Sequence, residues 1–151
     1  MVNNQIVTCI AIPVYNRLDL LNNCLDRLEK QLSMDNVLLL LVDDGSSLEF
    51  QASVLNMQLF KRDDAVYIRH EKNMGVTASR NTAITWCREH NIDIVIMLDS
   101  DCEVSDNFIE KHISLHKEFP DVACFGAGIN GVGNGFWAIV DRIMSWAPSV
   151  P

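Results

Sequence analysis

Short runs of apolar, β-branched-rich residues recur along the chain, separated by longer stretches whose apolar positions fall at helical spacing. The apolar runs occupy residues 6–12, 37–42, 66–68, 92–98 and 122–125; the helix-period stretches occupy residues 18–32, 48–59, 77–90 and 107–119. The pattern predicts βαβαβαβαβ. Within each run the apolar residues are continuous rather than alternating, as expected where helices cover both faces of a parallel sheet. Ser47, Thr77 and Ser105-Asp106 stand where helix N-caps belong, and Pro120 ends the last helical stretch.

Beyond residue 125 the pattern changes. Five of the seven glycines fall at Gly126, Gly128, Gly131, Gly133 and Gly135, which predicts a loop over residues 126–135. Residues 136–147 then form an apolar helix candidate with two tryptophans, Trp137 and Trp146, suited to packing or self-association and so to a homo-oligomer. It carries Arg142 against Asp141 and lacks the basic face of a helix lying on an anionic membrane.

At 151 residues the expectation is one domain over residues 1–151, with enough chain for a core. A hydrophobic share of 48% and a charged share of 21% exclude disorder and fibrous classes. Twelve Lys plus Arg against twenty Asp plus Glu, a net charge of −8, disfavour a nucleic-acid binder, which needs a basic stripe. The first residues show no secretory signal, and the most apolar stretch, residues 37–42, is far shorter than the ~20 residues of a membrane span. Five scattered cysteines without a C-x-x-C predict reduced, mostly buried thiols in a cytoplasmic protein.

In an open parallel sheet the ligand lies outside the carboxyl ends of the strands. Pro13-Val14-Tyr15-Asn16 follows the first apolar run, Asp43-Asp44-Gly45-Ser46 the second, Asn73-Met74-Gly75 with Arg80-Asn81 the third, and Asp99-Ser100-Asp101 the fourth. One acidic residue after a strand is usually a helix cap; four successive polar strand ends point to a site. Two carboxylates as close as Asp99 and Asp101 repel unless a cation lies by them. Oxygen donors suit Mg²⁺ or Mn²⁺, which share their remaining positions with water and substrate phosphates. A nucleotide diphosphate compound is the implied substrate.

Pro13-Val14-Tyr15-Asn16, Val42-Asp43-Asp44-Gly45-Ser46, Asn73-x-Gly75-x-x-x-Ser79-Arg80-Asn81 and Leu98-Asp99-Ser100-Asp101, in that order and spacing, closely resemble the nucleotide-binding half of family 2 glycosyltransferases with the GT-A fold. The resemblance covers about residues 5–125. It implies an α/β fold, a Rossmann-like three-layer sandwich with a mainly parallel sheet, cut off before the acceptor-binding half. It also implies metal-dependent, inverting transfer of a sugar from a UDP- or GDP-linked donor to an acceptor hydroxyl, on a saccharide or a lipid-linked molecule. By resemblance Tyr15 lies beside the nucleobase, Asp44 hydrogen-bonds it, Gly75 and Arg80 lie close to the nucleotide, Asp99 is near the ribose or the metal, and Asp101 is a metal ligand. Pro13, Asn16, Asp43 and Ser100 complete the expected nucleotide-sugar-binding set. Arg80 is equally readable as an ion-pair partner of the acidic edge. An inverting transferase needs a general base, which the family carries well beyond the D-x-D; the chain ends fifty residues after Asp101, and Asp141 on the apolar helix reads as solvated surface. The full-length protein could be associated with a membrane.

Other patterns carry less. Gly126-x-Gly128-x-x-Gly131 matches a dinucleotide fingerprint but does not follow the first strand. His112 and His116 have i, i+4 spacing without a third metal ligand and read as helix surface. Two rival functions remain: a donor-binding module that does not transfer sugar, and, more remotely, a haloacid-dehalogenase-like phosphohydrolase, which carries its D-x-D on the first strand.

Overall fold

The computed structural model describes residues 6–127, in which the chain divides into a unit reaching Phe119 and a second beginning at Pro120. The first unit holds β1 (Thr8–Val14), α1 (Leu18–Leu28), β2 (Val37–Asp43), α2 (Leu48–Asn56), a 3-10 turn (Gln58–Lys61), β3 (Ala65–Arg69), α3 (Val76–Glu89), β4 (Ile94–Met97) and α4 (Phe108–Glu118). The four strands form one sheet in the order β3-β2-β1-β4, all parallel. Chain order runs outward from β1 through β2 to β3 and then returns to the far side of β1. The carboxyl ends of β1 and β4 therefore flank the topological switch point, where ligands of such sheets bind.

Strand alternation sorts the core into two layers. Ile10, Ile12, Val14, Leu39, Leu41, Ile94 and Ile96 pack with Leu21, Leu25 and Leu28 of α1, Phe50 and Val54 of α2 and Ile109 of α4. On the opposite face Cys9, Ala11, Leu40 and Val42 meet Ala83 and Cys87 of α3. The result is the three-layer sandwich expected from the sequence, with three helices on one face and α3 covering the other.

Three details differ from the sequence expectation. Residues 122–125 form no strand: Val122, Ala123 and Cys124 are exposed and irregular. A four-residue apolar run does not by itself supply the neighbouring ladder that a parallel strand requires. Thr77 and Ser105-Asp106 are not caps, since α3 begins after Gly75 and α4 after Asn107, neither with a side-chain cap of its own. For α4 the replacement is Gln31, whose side-chain oxygen accepts from the Ile109 N–H (3.0 Å) while its amide donates to the Ser105 carbonyl (2.9 Å). Ser47 does cap α2, accepting from the Phe50 N–H at 3.2 Å. The loop, helix and fingerprint expected beyond residue 127 lie outside the described residues, as does Asp141.

Candidate functional site

A pocket of about 140 Å³ opens at the carboxyl edge of the sheet, lined by Pro13, Val14 and Tyr15 from the end of β1, Asp44 from the end of β2, Asn73 and Gly75 ahead of α3, and Val76 and Ser79 on α3. Tyr15 and Val76 are each about half exposed, at 51% and 52%, so the pocket has apolar walls facing solvent. Ser79 is fully buried.

Asp43 and Asp44 are neighbours in sequence with separate surroundings. Asp43 is fully buried; its carboxylate accepts from the Ser46 N–H (2.8 Å) and the Tyr67 hydroxyl and pairs with Arg69 Nε at 3.4 Å. Burial, and then the Asp43 carboxylate, push the Tyr67 phenol well above its ordinary value. Asp43 thus braces β2 against β3 and is not among the residues lining the pocket.

Asp44 lines the pocket and organises its far wall. One oxygen, Oδ1, accepts from the Met74 N–H (2.9 Å) and meets His70 Nδ1 (2.8 Å); the other, Oδ2, accepts from the Gly75 N–H (2.7 Å). An ionised carboxylate only accepts, so His70 Nδ1 carries a proton, and Nε2 lies 2.9 Å from Thr82 Oγ1 on α3. Burial alone would raise the Asp44 carboxyl, but the His70 bond and the two backbone N–H groups outweigh it and hold the group below its usual value. Gly75 has φ +90° and ψ 158°, a conformation open to glycine alone, which turns the chain into α3. Gly45 has φ +74°, and a Cβ there would stand 2.4 Å from the Lys72 carbonyl carbon, so the loop leaving β3 packs directly on the glycine backbone.

The remaining expected residues divide between scaffold and rim. Asn16, with φ +54°, donates its N–H to Ser46 Oγ (2.8 Å) and accepts from the Ser47 N–H (3.0 Å), tying the loop after β1 to the loop after β2. Arg80 pairs with Asp99 at 2.7 Å, both partly exposed, so the ion-pair reading of Arg80 is realised here. Ser100 follows Asp99 in the same turn. Asp101 is exposed, its Oδ1 approached by the Cys102 thiol at 3.9 Å. Among the described residues no cluster of three or more His, Cys, Asp or Glu could enclose a metal. Asp99 and Asp101 offer exposed carboxylate oxygens, a donor set that suits a hard divalent ion completing its shell with water and diphosphate. His112 packs edge-on against Phe108 on α4 rather than facing the pocket residues, and burial followed by His116 lowers its pKa.

His70 and Ser79 received no role from the sequence. His70 is the first residue after β3, so a reading that took the residue next to each strand end would have reached it. Ser79 lies one helical turn past Gly75, on the face that meets the sheet.

Comparison with known proteins agrees with this architecture. The family model for glycosyl transferase family 2 matches residues 9–150. The poly(ribitol-phosphate) beta-glucosyltransferase of Bacillus spizizenii is 31% identical over 128 residues, 82% of this chain and 20% of that protein. Glycosyltransferase GlyG of Streptococcus pneumoniae is 31% identical over 102 residues, covering 67% of this chain and 32% of its own length. The crystal structure of S. aureus TarS 1-349 superposes with a TM-score of 0.65 at 18% identity, over 85% of this chain and 40% of that one. The mannosyltransferase PcManGT from Pyrobaculum calidifontis, in complex with GDP-Man and Mn²⁺, gives 0.61 at 18% identity, over 72% of this chain and 32% of its own. The chain thus spans about a fifth to a third of the length of the curated relatives it matches. With a family match over nearly its whole length and a four-stranded parallel sheet shared with GT-A enzymes, the chain belongs to glycosyltransferase family 2.

Proposed function

We propose that the chain is the donor-binding part of a metal-dependent, inverting glycosyltransferase that takes a sugar from a UDP- or GDP-linked donor and delivers it to an acceptor hydroxyl. The observation that carries this reading is the Asp44-lined pocket at the same sheet edge as the exposed Asp99 and Asp101. TarS has been crystallised with UDP-GlcNAc and with UDP, and PcManGT with GDP-Man and Mn²⁺, which supports a nucleotide-sugar donor and a divalent ion here. The base enters between Tyr15 and Val76 with a polar edge toward Asp44, leaving the ribose and diphosphate toward the end of β4. Asp101 and Asp99 hold the Mg²⁺ or Mn²⁺, which supplies charge neutralisation to the leaving diphosphate. Arg80 fixes Asp99 at 2.7 Å and adds positive potential beside the anionic donor.

The general base comes from sequence outside this site, and the acceptor is a saccharide or lipid-linked hydroxyl. The unpaired cysteines among the described residues favour a reducing, cytoplasmic setting. Calorimetric titration of the 151-residue chain with UDP- and GDP-linked sugars, with Mn²⁺ or with chelator, tests the proposal. Binding should need the metal and be lost in Asp101→Ala; equal affinity in chelator overturns the metal role. Sugar release in the same mixtures separates transfer from binding alone.

A further inference from the structure

Among the residues lining the pocket, one buried side-chain polar group has no partner. Ser79 is fully buried on α3, lines the pocket beside Asp44 and Gly75, and its hydroxyl makes no hydrogen bond in the protein. A serine in a helix commonly donates its hydroxyl to the carbonyl one turn earlier, alongside the backbone bond; the Gly75 carbonyl accepts the Ser79 N–H at 3.2 Å, but the Ser79 hydroxyl makes no such bond. Buried hydroxyls are normally satisfied, and this one lies where the proposed donor would put its base.

The bonding of Asp44 limits what that base can offer. A carboxylate has about four acceptor positions, two on each oxygen. Oδ1 already has His70 and the Met74 N–H; Oδ2 has the Gly75 N–H. One position is left, on Oδ2. Guanine presents two adjacent donors, the ring N1–H and the exocyclic amino group, and asks for two acceptors side by side. Uracil presents a single N3–H flanked by carbonyls, so one acceptor meets the N–H and a neighbouring hydroxyl donates to the carbonyl.

We infer that the Ser79 hydroxyl is a base-reading group which, beside the single open acceptor position of Asp44, selects uracil over guanine. The inference rests on the donor-binding proposal above and deepens it by naming the nucleoside. His70 and the Met74 N–H act in this selection as positioning groups: by filling Oδ1 they deny guanine a carboxylate that takes both its N1–H and its amino group, and the Ser79 hydroxyl beside the one open position is placed to donate to the uracil carbonyl.

The test measures dissociation constants of UDP, GDP and 3-methyluracil-containing UDP for the 151-residue chain with Mn²⁺, in the wild type and in Ser79→Ala. UDP should bind at least about tenfold tighter than GDP, and the 3-methyl analogue, which lacks the N3–H, should lose about tenfold or more, since a site with unpaired polar groups rejects the wrong edge. Ser79→Ala should weaken UDP by roughly three- to tenfold, the worth of one hydrogen bond, with GDP little changed. Its thermal midpoint should stay level or rise, because the hydroxyl has no partner in the protein to lose; a merely structural serine would lower the midpoint and leave UDP binding intact. GDP binding as tightly as UDP, or full UDP affinity in Ser79→Ala, overturns the base-reading role while leaving donor binding in place. Failure of the wild type to bind either diphosphate overturns the donor-binding proposal together with it.

Discussion

Replacing Asp44 by Asn changes one oxygen to an NH₂ and leaves the shape of the side chain almost unaltered, so it isolates the acceptor count. If the amide oxygen takes the Oδ1 position, the NH₂ faces the Gly75 N–H across 2.7 Å. If it takes the Oδ2 position, the NH₂ faces the Met74 N–H across 2.9 Å, and His70 must move its proton to the other ring nitrogen. Either orientation sets donor against donor and leaves one backbone N–H unsatisfied, which costs about 1–3 kcal/mol; the bonds that survive also lose their charge assistance. The sum is about 2–4 kcal/mol, a large part of the ~5–15 kcal/mol that holds an ordinary domain together. For a chain of this size that is a fall of roughly 5–15 °C in midpoint. Urea and thermal unfolding of wild type and Asp44→Asn at neutral pH measure it, and acidification supplies the internal control. The folded Asp44 carboxyl lies below its ordinary value, so its contribution is full above about pH 4 and is lost as the pH falls through the lower folded value. The gap between the two proteins should therefore narrow toward pH 2. A stability difference below about 0.5 kcal/mol at pH 7, or a gap that widens in acid, refutes the role given to this carboxylate.

Two further substitutions probe the same edge of the sheet. Gly45→Ala should lower stability by more than about 2 kcal/mol, because the new methyl meets the Lys72 backbone at 2.4 Å in a backbone conformation that alanine resists; a melt within a degree of wild type would show that the loop is free to move aside. Tyr67→Phe should cost about 1–2 kcal/mol by removing one donor from the buried Asp43, and since Asp43 keeps its Ser46 and Arg69 partners, donor affinity should remain within about twofold. A drop in affinity larger than the drop in stability would place Asp43 closer to the ligand than its bonding indicates.

Sequence legibility followed how locally each feature is encoded. β1 and β2 are continuous apolar runs, and their register and burial match what such runs predict for a sheet covered on both faces. The starts of α3 and α4 did not read locally, because the groups that fix them come from far along the chain: Asp44, thirty or so residues away, accepts from the Met74 and Gly75 N–H groups just ahead of α3, and Gln31 is 78 from Ile109 in α4. Local signals such as Thr77 and Ser105-Asp106 lost to these long-range partners. The pair Asp43-Asp44 reads as one acidic patch, yet Asp43 braces β3 from inside the sheet while Asp44 faces the loop ahead of α3. The acidic D-x-D was visible as a pair, and its exposed setting at the end of β4 agrees with a rim position. His70 stayed hidden because its importance lies in reaching both Asp44 and Thr82, which only the folded chain brings to it.

The unequal covering of the sheet has a consequence for how such a chain can diversify. Three helices and most of the fully buried large apolar side chains lie on one face, whereas on the other α3 brings Ala83 and Cys87 against Cys9, Ala11, Leu40 and Val42, with Trp86, Val66, Ile68, Val95 and Met97 packed around them. The helix that carries Val76, Ser79 and Arg80 to the site is therefore packed through the smaller of the two core layers. Substitutions along the first turns of α3 can change the ligand the chain selects while the main core on the opposite face keeps it folded. Exchanging Val76, Ser79 or Arg80 leaves the larger core layer in place, whereas Asp44 at the same sheet edge serves fold and pocket together.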